Sequence, residues 1–342
     1  MKRIISAVTA AVMFIPLHNG TLKAETASGS IRIMAVGDSI TDGYWEQGGY
    51  RKYMSMELTE NGLTDIDLVG PKGADEESFE YNGRTVVYDG NYAGYSGYAI
   101  QYMTGTETRQ GILETLRDGD HIKNYDPDIV LLQIGTNDVL SAYNDGITDR
   151  LENLISYILS EGSDGMTVFV STIPDIDAVE VSDWLWAYGD IKWNSTPEDF
   201  TKIIQGHIDD YNASIGQLVT KMQSNGMNVR FADIHSVVDV ETDLYDGVHP
   251  NEAGYEKMGM YWAGVLKGFL NGQAPTGSTE EPTDTPEYNV ADIVSLADHL
   301  LGRPQQRITA ENSGLYDFNS NSGLDVYDLV LLRRKVFAGR NV

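Results

Sequence analysis

The chain has 342 residues, no cysteine and a formal net charge of -27, with 24 Lys and Arg residues against 51 Asp and Glu residues. This charge repels nucleic-acid phosphates and anionic lipid surfaces, so neutral or weakly charged partners are favoured. The lack of cysteine excludes disulfides, thiolate metal sites and a cysteine nucleophile. The length favours one domain of catalytic size and a second, smaller unit.

The amino-terminal segment has the pattern of a secretory signal peptide. A basic tip precedes a mostly apolar stretch, residues 4–17, and small residues surround Ala24. The apolar stretch is shorter than the roughly 20 residues that span a bilayer, and it contains Pro16, so export is favoured over membrane anchoring. We therefore expect a signal peptide at residues 1–24 and a secreted, extracellular protein with no membrane partner.

Five short apolar runs bounded by turn residues predict β-strands. Continuous rather than alternating apolar strands indicate a parallel sheet that is covered on both faces. Helical periodicity lies between several runs, most clearly at residues 149–160 and 197–223. The predicted fold class is therefore α/β, with a doubly wound, flavodoxin-like five-stranded parallel sheet. The predicted strands are residues 31–36, 66–69, 129–134, 166–170 and 229–232.

Polar residues follow several of these strands, at the edge where parallel sheets collect their sites. Ser39 follows the first strand, and as a nucleophile it needs an imidazole base and a carboxylate that orients the imidazole. In the stretch YDGVHP, Asp246 and His249 are separated by two residues, so a tight turn would let this carboxylate meet the imidazole that faces the serine. Asp243 is a competing orienter. The structural alternative is that Ser39 only caps a helix.

His249 is the best base among the six histidines. His207 and His235 have no carboxylate at the same spacing, and His121, although Asp118 lies three residues before it, is not preferred as the base. The remaining two histidines lie in the predicted signal peptide and beyond the predicted linker. We therefore predict that His249 takes the proton of the serine hydroxyl.

Acyl transfer also needs hydrogen-bond donors for the developing oxyanion. Ser39 offers its backbone N–H at a helix start, and Asn137 offers a side-chain amide after the third strand. Gly94, in the loop NYAGYSGYAI, offers a third N–H, and Gly97 in the same loop is the alternative. These residues are the predicted oxyanion hole.

Other side chains near these residues have less specific expectations. Asp38 and Asp138 are expected to be structural, capping helices or accepting loop amides. Tyr44 and Trp45, shortly after the serine, are expected to touch the substrate. The tryptophans of the stretch VEVSDWLWAYGDIKWN either stack on sugar rings or pack a long insert.

A polar segment rich in Pro, Thr and Glu at residues 272–287 is predicted to be a solvated linker. Beyond it, Val290, Asp292 and Leu296 recur 36 residues later as Val326, Asp328 and Leu332, which indicates a weak internal repeat. A small all-α module with two loop-helix halves is the expected structure.

The stretch DFNSNSGLDVYD has the ligand spacing of a calcium loop. Oxygen-bearing residues alternate over twelve positions and precede an apolar helix, as in EF-hand loops. Asp replaces Glu at the last position, and Ser322 replaces the usual Gly. The corresponding loop of the first repeat lacks most of these ligands, so weak or no calcium binding is expected there. The predicted ligands of a structural Ca²⁺ are Asp317, Asn319, Asn321, Gly323 through its carbonyl, Asp325 and Asp328.

Residues 30–271 resemble the SGNH, or GDSL, hydrolases, because four sequence blocks occur in the family's order. By this resemblance Ser39 is the nucleophile, His249 the base and Asp246 the orienting acid. Ser39, Gly94 and Asn137 then form the oxyanion hole, and catalysis needs no metal or other cofactor. The four blocks are Gly37-Asp38-Ser39-Ile40, Gly94, Gly135-Thr136-Asn137-Asp138 and Asp246-Gly247-Val248-His249.

Three stretches, GGYRKYMSMEL, GYSGYAI and DGVHPNEAGYEKMG, look most like the carbohydrate esterase family 3 branch, which deacetylates xylan. This resemblance implies a secreted serine esterase that removes O-acetyl groups from hemicellulose. The alternatives are a lipid or thioester hydrolase on the same fold and a non-catalytic glycan-binding module.

Residues 288–342 resemble a type I dockerin, the module by which exported plant-wall enzymes bind a cohesin domain of a scaffoldin. The second half of the repeat carries most of this resemblance, and it implies a cellulosome-associated enzyme. On the family pattern, the last helix, with Arg333 and Arg334, is the expected cohesin contact. The alternative is a calcium-stabilised appendage that has no partner.

Overall fold

The computed structural model describes residues 29–103, 108–141, 146–188 and 195–272, together with a few single positions between residues 295 and 332. The chain divides into two compact units, residues 1–277 and 278–342. The predicted signal peptide and the predicted linker from residue 273 onward lie outside the described residues. Within the described part of the chain, no helix combines the length and the apolar character needed to cross a bilayer.

The first unit is built on a parallel sheet whose strands run in the order β2-β1-β6-β7-β8. This is the flavodoxin-like order of a doubly wound sheet. A two-residue strand, β5, adds to β1, and β3 and β4 form a separate antiparallel hairpin. The strands are β1 Ile31–Gly37, β2 Ile66–Leu68, β3 Glu77–Tyr81, β4 Arg84–Tyr88, β5 Ala93–Gly94, β6 Ile129–Gln133, β7 Thr167–Ser171 and β8 Val229–Ala232.

Helices cover both faces of this sheet. The two helices predicted from periodicity are confirmed as α6 and α8, each within two residues of its predicted ends. The helices are α1 Ser39–Asp42, α2 Gly49–Glu60, α3 Ile112–Asp118, α4 His121–Tyr125, α5 Thr136–Ser141, α6 Ile147–Glu161, α7 Ala178–Tyr188, α8 Pro197–Ser224 and α9 Glu252–Leu270, with a 3-10 turn at His235–Val237.

The five predicted strands are confirmed as β1, β2, β6, β7 and β8, and all of their mutual pairings are parallel. Alternate residues of β1 pack into different cores. Met34 and Val36 join the larger cluster with α6 and α8, whereas Ile33 and Ala35 join the cluster with α2 and α9. Burial on both faces explains why the strand sequences are continuously apolar.

The carboxyl ends of β1 and β6 lie side by side, because Gly37 pairs with Gln133 in the parallel register. The chain leaves these ends directly into α1 and α5, which begin with Ser39 and Thr136. The fold therefore brings the polar residues after the first and third predicted strands to one edge of the sheet, as sites in open α/β sheets require.

In the second unit, Leu296 and Leu332 are both fully buried and belong to one small apolar cluster with Ile308 and Tyr316. These two leucines occupy equivalent positions of the internal repeat. Both halves of the repeat therefore contribute to the same cluster.

Candidate active site

The Ser39 hydroxyl is not used to cap a helix. The residue that caps α1 is Asp38, whose Oδ1 accepts the backbone N–H of Ile40 at 3.1 Å. Ser39 is the first residue of the helix, where backbone N–H groups have no acceptor within the helix. The cap interpretation of Ser39 is therefore wrong, and the predicted structural role of Asp38 is confirmed.

Ser39, His249 and Asp246 form a continuous hydrogen-bonded chain. Ser39 Oγ lies 2.8 Å from His249 Nε2, and His249 Nδ1 lies 2.9 Å from Asp246 Oδ2. Because an ionised carboxylate only accepts hydrogen bonds, Nδ1 carries the proton in this arrangement. Nε2 is then free to accept the hydroxyl hydrogen of Ser39, which is the geometry needed to activate a serine.

A tight turn places Asp246 against His249, as the spacing predicts. Asp246 Oδ1 accepts the backbone N–H groups of Val248 at 3.2 Å and His249 at 2.9 Å. Gly247 in this turn has φ +78, and a Cβ there would lie 3.1 Å from the Cβ of Glu180. Glycine readily adopts this left-handed backbone conformation, and its lack of a Cβ leaves room for the close approach of α7.

The environment of Asp246 keeps its carboxylate charged. Burial raises the pKa of the Asp246 carboxyl, but hydrogen bonds from the His249 ring, the His249 backbone and the Trp45 indole outweigh burial and hold the pKa well below its ordinary value. The indole Nε1 of Trp45 donates to Asp246 Oδ2 at 3.0 Å. A carboxylate that stays ionised can orient the imidazole and stabilise the imidazolium that forms during acyl transfer.

The competing residues are engaged elsewhere. Asp243 forms an ion pair with Lys257 at 2.5 Å and accepts the backbone N–H of Asp239 at 2.8 Å, so it is not the orienter. His207 Nδ1 lies 3.3 Å from the Val139 carbonyl. The other two rejected histidines have partners outside the triad: the His121 ring lies 3.4 Å from the Tyr95 hydroxyl, and the His235 ring lies 3.0 Å from the Asn212 amide.

Asn137 lies in the same cavity as Ser39, and its amide orientation is determined by its neighbours. Its Oδ1 accepts Arg109 Nη1 at 3.2 Å, and its Nδ2 donates to the Tyr98 carbonyl at 2.9 Å. An amide nitrogen has two N–H groups, so one donor remains for an oxyanion. Arg109 was not found by sequence analysis, because it lies on a loop outside the motif blocks.

The structure separates the two glycines that sequence analysis proposed for the oxyanion hole. Gly94 pairs with Gly37 in the sheet, and a Cβ there would lie 2.6 Å from the backbone nitrogen of Asp42. Gly94 is thus explained by close packing of β5 on α1, and it does not line the cavity. Gly97 does line it, next to Ser96. The lining of the cavity therefore favours the alternative, Gly97, and the third oxyanion donor stays a prediction.

The cavity at the triad has a volume of about 550 Å³. Its wall combines the triad, polar groups of the loops after β5 and β6, and a few apolar side chains. It is lined by Ser39, Tyr44, Trp45, Ser96, Gly97, Arg109, Thr136, Asn137, Leu140, Leu185, Asp246, Val248 and His249.

The aromatic residues predicted to touch the substrate lie beside the triad. The Tyr44 ring centroid is 4.6 Å from that of His249 and 5.0 Å from that of Trp45. In contrast, Trp186 packs edge-on against Phe200, 5.5 Å away, which favours the packing interpretation for this residue of the long insert. The last tryptophan of that stretch, Trp193, lies outside the described residues.

The predicted calcium ligands are not part of the described structure. Asp317, Asn319, Asn321, Gly323, Asp325 and Asp328 all lie outside the described residues. The calcium loop remains a prediction from the sequence.

Two buried carboxyl groups support the ends of the sheet. Asp138 accepts the Ile100 backbone N–H at 2.9 Å and pairs with Arg150 at 3.1 Å, so its predicted structural role is confirmed. Burial raises the pKa of Asp38 to about 6, because the hydrogen bond from the Ile40 backbone and the weaker contributions of Thr136 and His249 only partly compensate for lost hydration. The folded protein therefore binds a proton at Asp38 more tightly than the unfolded chain does.

We expect the Asp38→Asn variant to lose part of the pH dependence of stability. Since the folded pKa of about 6 lies above the ordinary value of 3.8, the wild-type stability falls as pH rises from about 4 through 6. The shift corresponds to about 3 kcal/mol at most. Asn caps helices as well as Asp does but does not ionise. Urea unfolding at several pH values measures the free energy of unfolding of both proteins. The difference between the wild type and the variant should shift against the wild type as pH rises. A difference that is constant with pH would contradict the elevated pKa of Asp38.

A doubly wound parallel sheet with a Ser-His-Asp constellation at its carboxyl edge defines an acyl-transfer site of the serine-hydrolase type. Residues 33–262 match the model of the GDSL-like Lipase/Acylhydrolase family. The chain belongs to this family. The resemblance seen in the four sequence blocks is thereby confirmed at the level of the family.

The chain is also similar to particular proteins. It is 44% identical over 270 residues to a multidomain esterase of Ruminococcus flavefaciens, covering 78% of this chain and 32% of the relative. The chain thus spans about a third of the length of that relative. A family 3 carbohydrate esterase of Clostridium thermocellum is 27% identical, with 72% of this chain and 99% of that chain covered and a TM-score of 0.48. A family 3 carbohydrate esterase from Talaromyces cellulolyticus is 21% identical, with coverage of 70% and 98% and a TM-score of 0.48.

Proposed function

We propose that this protein is a secreted serine esterase that removes O-acetyl groups from hemicellulose, with acetylated xylan as the substrate. The observation that carries the esterase activity is the hydrogen-bonded chain from Ser39 through His249 to Asp246. Membership of the acylhydrolase family and the 44% identity to a protein named an esterase support it.

The first half-reaction transfers the acetyl group to the enzyme. Ser39 Oγ attacks the acetyl carbonyl carbon as its proton passes to His249 Nε2, and the imidazolium is stabilised by Asp246. The oxyanion of the tetrahedral intermediate accepts hydrogen bonds from the Ser39 backbone N–H, Gly97 and Asn137. His249 then gives its proton to the departing sugar oxygen as the carbon–oxygen bond to the sugar breaks.

The second half-reaction releases acetate. Water gives a proton to His249 Nε2 as its oxygen attacks the carbonyl carbon of the acetyl-serine. The second tetrahedral intermediate collapses when the bond to Ser39 Oγ breaks and His249 returns the proton to this oxygen. The side chains of this chain supply every proton-transfer group in both steps.

The surroundings of the triad support a sugar ester over a long-chain lipid. Exposed aromatic rings at Tyr44 and Trp45 stand at the mouth of the cavity, and amphipathic rings of this kind suit a polar substrate with one apolar face. The formal charge of -27 disfavours binding to anionic lipid surfaces and does not oppose a neutral polysaccharide.

The test compares acetate release from acetylated xylan with hydrolysis of a long-chain ester, using the wild type and Ser39→Ala. Acetate release by the wild type with little hydrolysis of the long-chain ester supports the proposal. A preference for the long-chain ester would establish a lipid hydrolase instead. Tight binding of xylan with no release of acetate would indicate a glycan-binding module.

We further propose that residues 288–342 are a type I dockerin that binds a cohesin and places the enzyme in a cellulosome. The support is the calcium-loop spacing between Asp317 and Asp328 and the repeat whose equivalent leucines, Leu296 and Leu332, share one apolar cluster. In this proposal Ca²⁺ is structural and has no part in the chemistry.

The double variant Asp317→Ala and Asp328→Ala is expected to weaken cohesin binding by at least about 100-fold, because the loop loses two carboxylate ligands and the helix after it loses its calcium support. Calorimetric titration with a panel of type I cohesins measures this effect. Chelation of calcium from the wild type should reproduce it. Unchanged binding by the double variant would contradict a calcium-dependent dockerin, and the esterase proposal would stand independently.

A further inference from the structure

Trp45 contacts the triad directly at Asp246 and indirectly, through Tyr44, at His249. Its indole N–H donates to Asp246 Oδ2 at 3.0 Å. Its ring packs edge-on against Tyr44, whose own ring lies 4.6 Å from that of His249. The side chain therefore bears directly on the orienting acid and indirectly on the base.

The backbone of Trp45 is in an unfavourable conformation. Its φ of +67 lies in the left-handed region, which large side chains rarely adopt. Such strain persists only where surrounding contacts hold it, and it is concentrated at functional sites. Here the contacts that hold it are the Asp246 hydrogen bond and the neighbouring rings.

Trp45 and Tyr245 form an exposed pair of stacked rings, which we call the aromatic platform. Their centroids are 4.8 Å apart with an interplanar angle of 26°. The two residues are 56% and 62% exposed, respectively, although burial of such rings would be favourable. Tyr245 directly precedes Asp246 in the chain, so the platform lies at the edge of the triad.

We propose that Trp45 is a positioning residue that holds Asp246, and that the aromatic platform binds the sugar ring that carries the acetyl group. The inference rests on the proposed function for its sugar ligand. A pyranose has a face of C–H groups that matches a flat aromatic surface. A sugar stacked on the platform restricts the motion of the indole, and the restricted indole keeps its N–H on Asp246. Substrate binding and triad alignment are thereby linked through one side chain.

The test uses Trp45→Phe, which keeps a flat ring but removes the N–H, and Trp45→Ala, which removes both. Both variants keep a non-glycine residue at the left-handed position, so the backbone strain is matched. The control is Trp186→Phe, whose ring packs in the core against Phe200. The kcat and KM values are measured with p-nitrophenyl acetate, which has no sugar, and with an acetylated xylo-oligosaccharide. Thermal unfolding checks that each variant is folded.

We expect Trp45→Phe to lower kcat about 10- to 100-fold on both substrates, since a hydrogen bond to a charged group is lost. Its KM for the oligosaccharide should stay within about threefold of the wild-type value, because the stacking face remains. Trp45→Ala should lower kcat to a similar extent and raise the KM for the oligosaccharide about 10-fold. A role in folding alone would not separate kcat from KM in this way.

Wild-type kcat in folded Trp45→Phe would overturn the positioning role. A wild-type KM for the oligosaccharide in folded Trp45→Ala would overturn the sugar-binding role. If the wild type hydrolyses p-nitrophenyl acetate but releases no acetate from the oligosaccharide, the proposed function and the sugar-binding role both fail. The kcat of Trp45→Phe on p-nitrophenyl acetate still decides the positioning role in that case.

Discussion

Ser39→Ala is expected to lower kcat/KM for acetylated xylan on the order of 10⁵-fold, by analogy with the loss of the nucleophile in other Ser-His-Asp sites. The hydroxyl that bonds His249 Nε2 at 2.8 Å is the atom that forms the acyl-enzyme. Its loss removes covalent catalysis but leaves the oxyanion donors in place. Acetate release, measured at saturating and subsaturating substrate, gives the two kinetic constants.

The fold should tolerate this substitution. Asp38, and not Ser39, caps α1, so the free energy of unfolding of Ser39→Ala should stay within about 1 kcal/mol of the wild-type value. Ser141→Ala is the matched control, because Ser141 is also a buried serine but belongs to α5, one turn beyond Asn137. It should keep kcat/KM within about fivefold. Substantial acetate release by Ser39→Ala would rule out Ser39 as the nucleophile.

Asp246→Asn is expected to lower kcat by roughly 10³- to 10⁴-fold, although the Asn side chain has nearly the same shape as Asp. The Asn amide would donate to His249 Nδ1 and so place the ring proton on Nε2, where it cannot accept the serine hydroxyl hydrogen. The charge that stabilises the imidazolium is lost as well. Steady-state kinetics on p-nitrophenyl acetate measure the effect without any dependence on sugar binding.

Asp243→Asn is the matched control for this prediction, because Asp243 is three residues earlier and was the competing orienter in the sequence. Its carboxylate pairs with Lys257 and accepts the Asp239 backbone N–H. The variant should keep most of kcat and lose about 1–2 kcal/mol of stability. If Asp243→Asn loses more kcat than Asp246→Asn, the orienting acid is misassigned.

The pH behaviour of the Asp246 site has a defined direction. The folded pKa of Asp246 lies below its ordinary value, so its stabilising hydrogen bonds are complete above about pH 4 and weaken only as pH falls through the lower folded value. Asp246 therefore does not set an acid limit of activity above about pH 4.

Much of this protein follows from local sequence. The continuous apolar runs identify the five major strands, since a strand buried on both faces has no polar face to display. The periodicity of residues 149–160 and 197–223 identifies α6 and α8. The short spacing of Asp246 and His249 already implies their contact, because a four-residue turn leaves few arrangements. Asp246 and His249 are recognisable from this spacing, and Ser39 from its position after the first predicted strand.

Tertiary structure decided what depends on contacts between distant segments. Gly94 packs on α1 whereas Gly97 lines the cavity, and this difference is not visible in the sequence because the two glycines are only three residues apart. The bond from Trp45 to Asp246 joins residues 201 positions apart. Arg109 donates a hydrogen bond to Asn137 from a loop that lies outside the four family blocks. The spacing of residues along the chain does not predict these contacts, because they form only when the sheet brings its loops to a common edge.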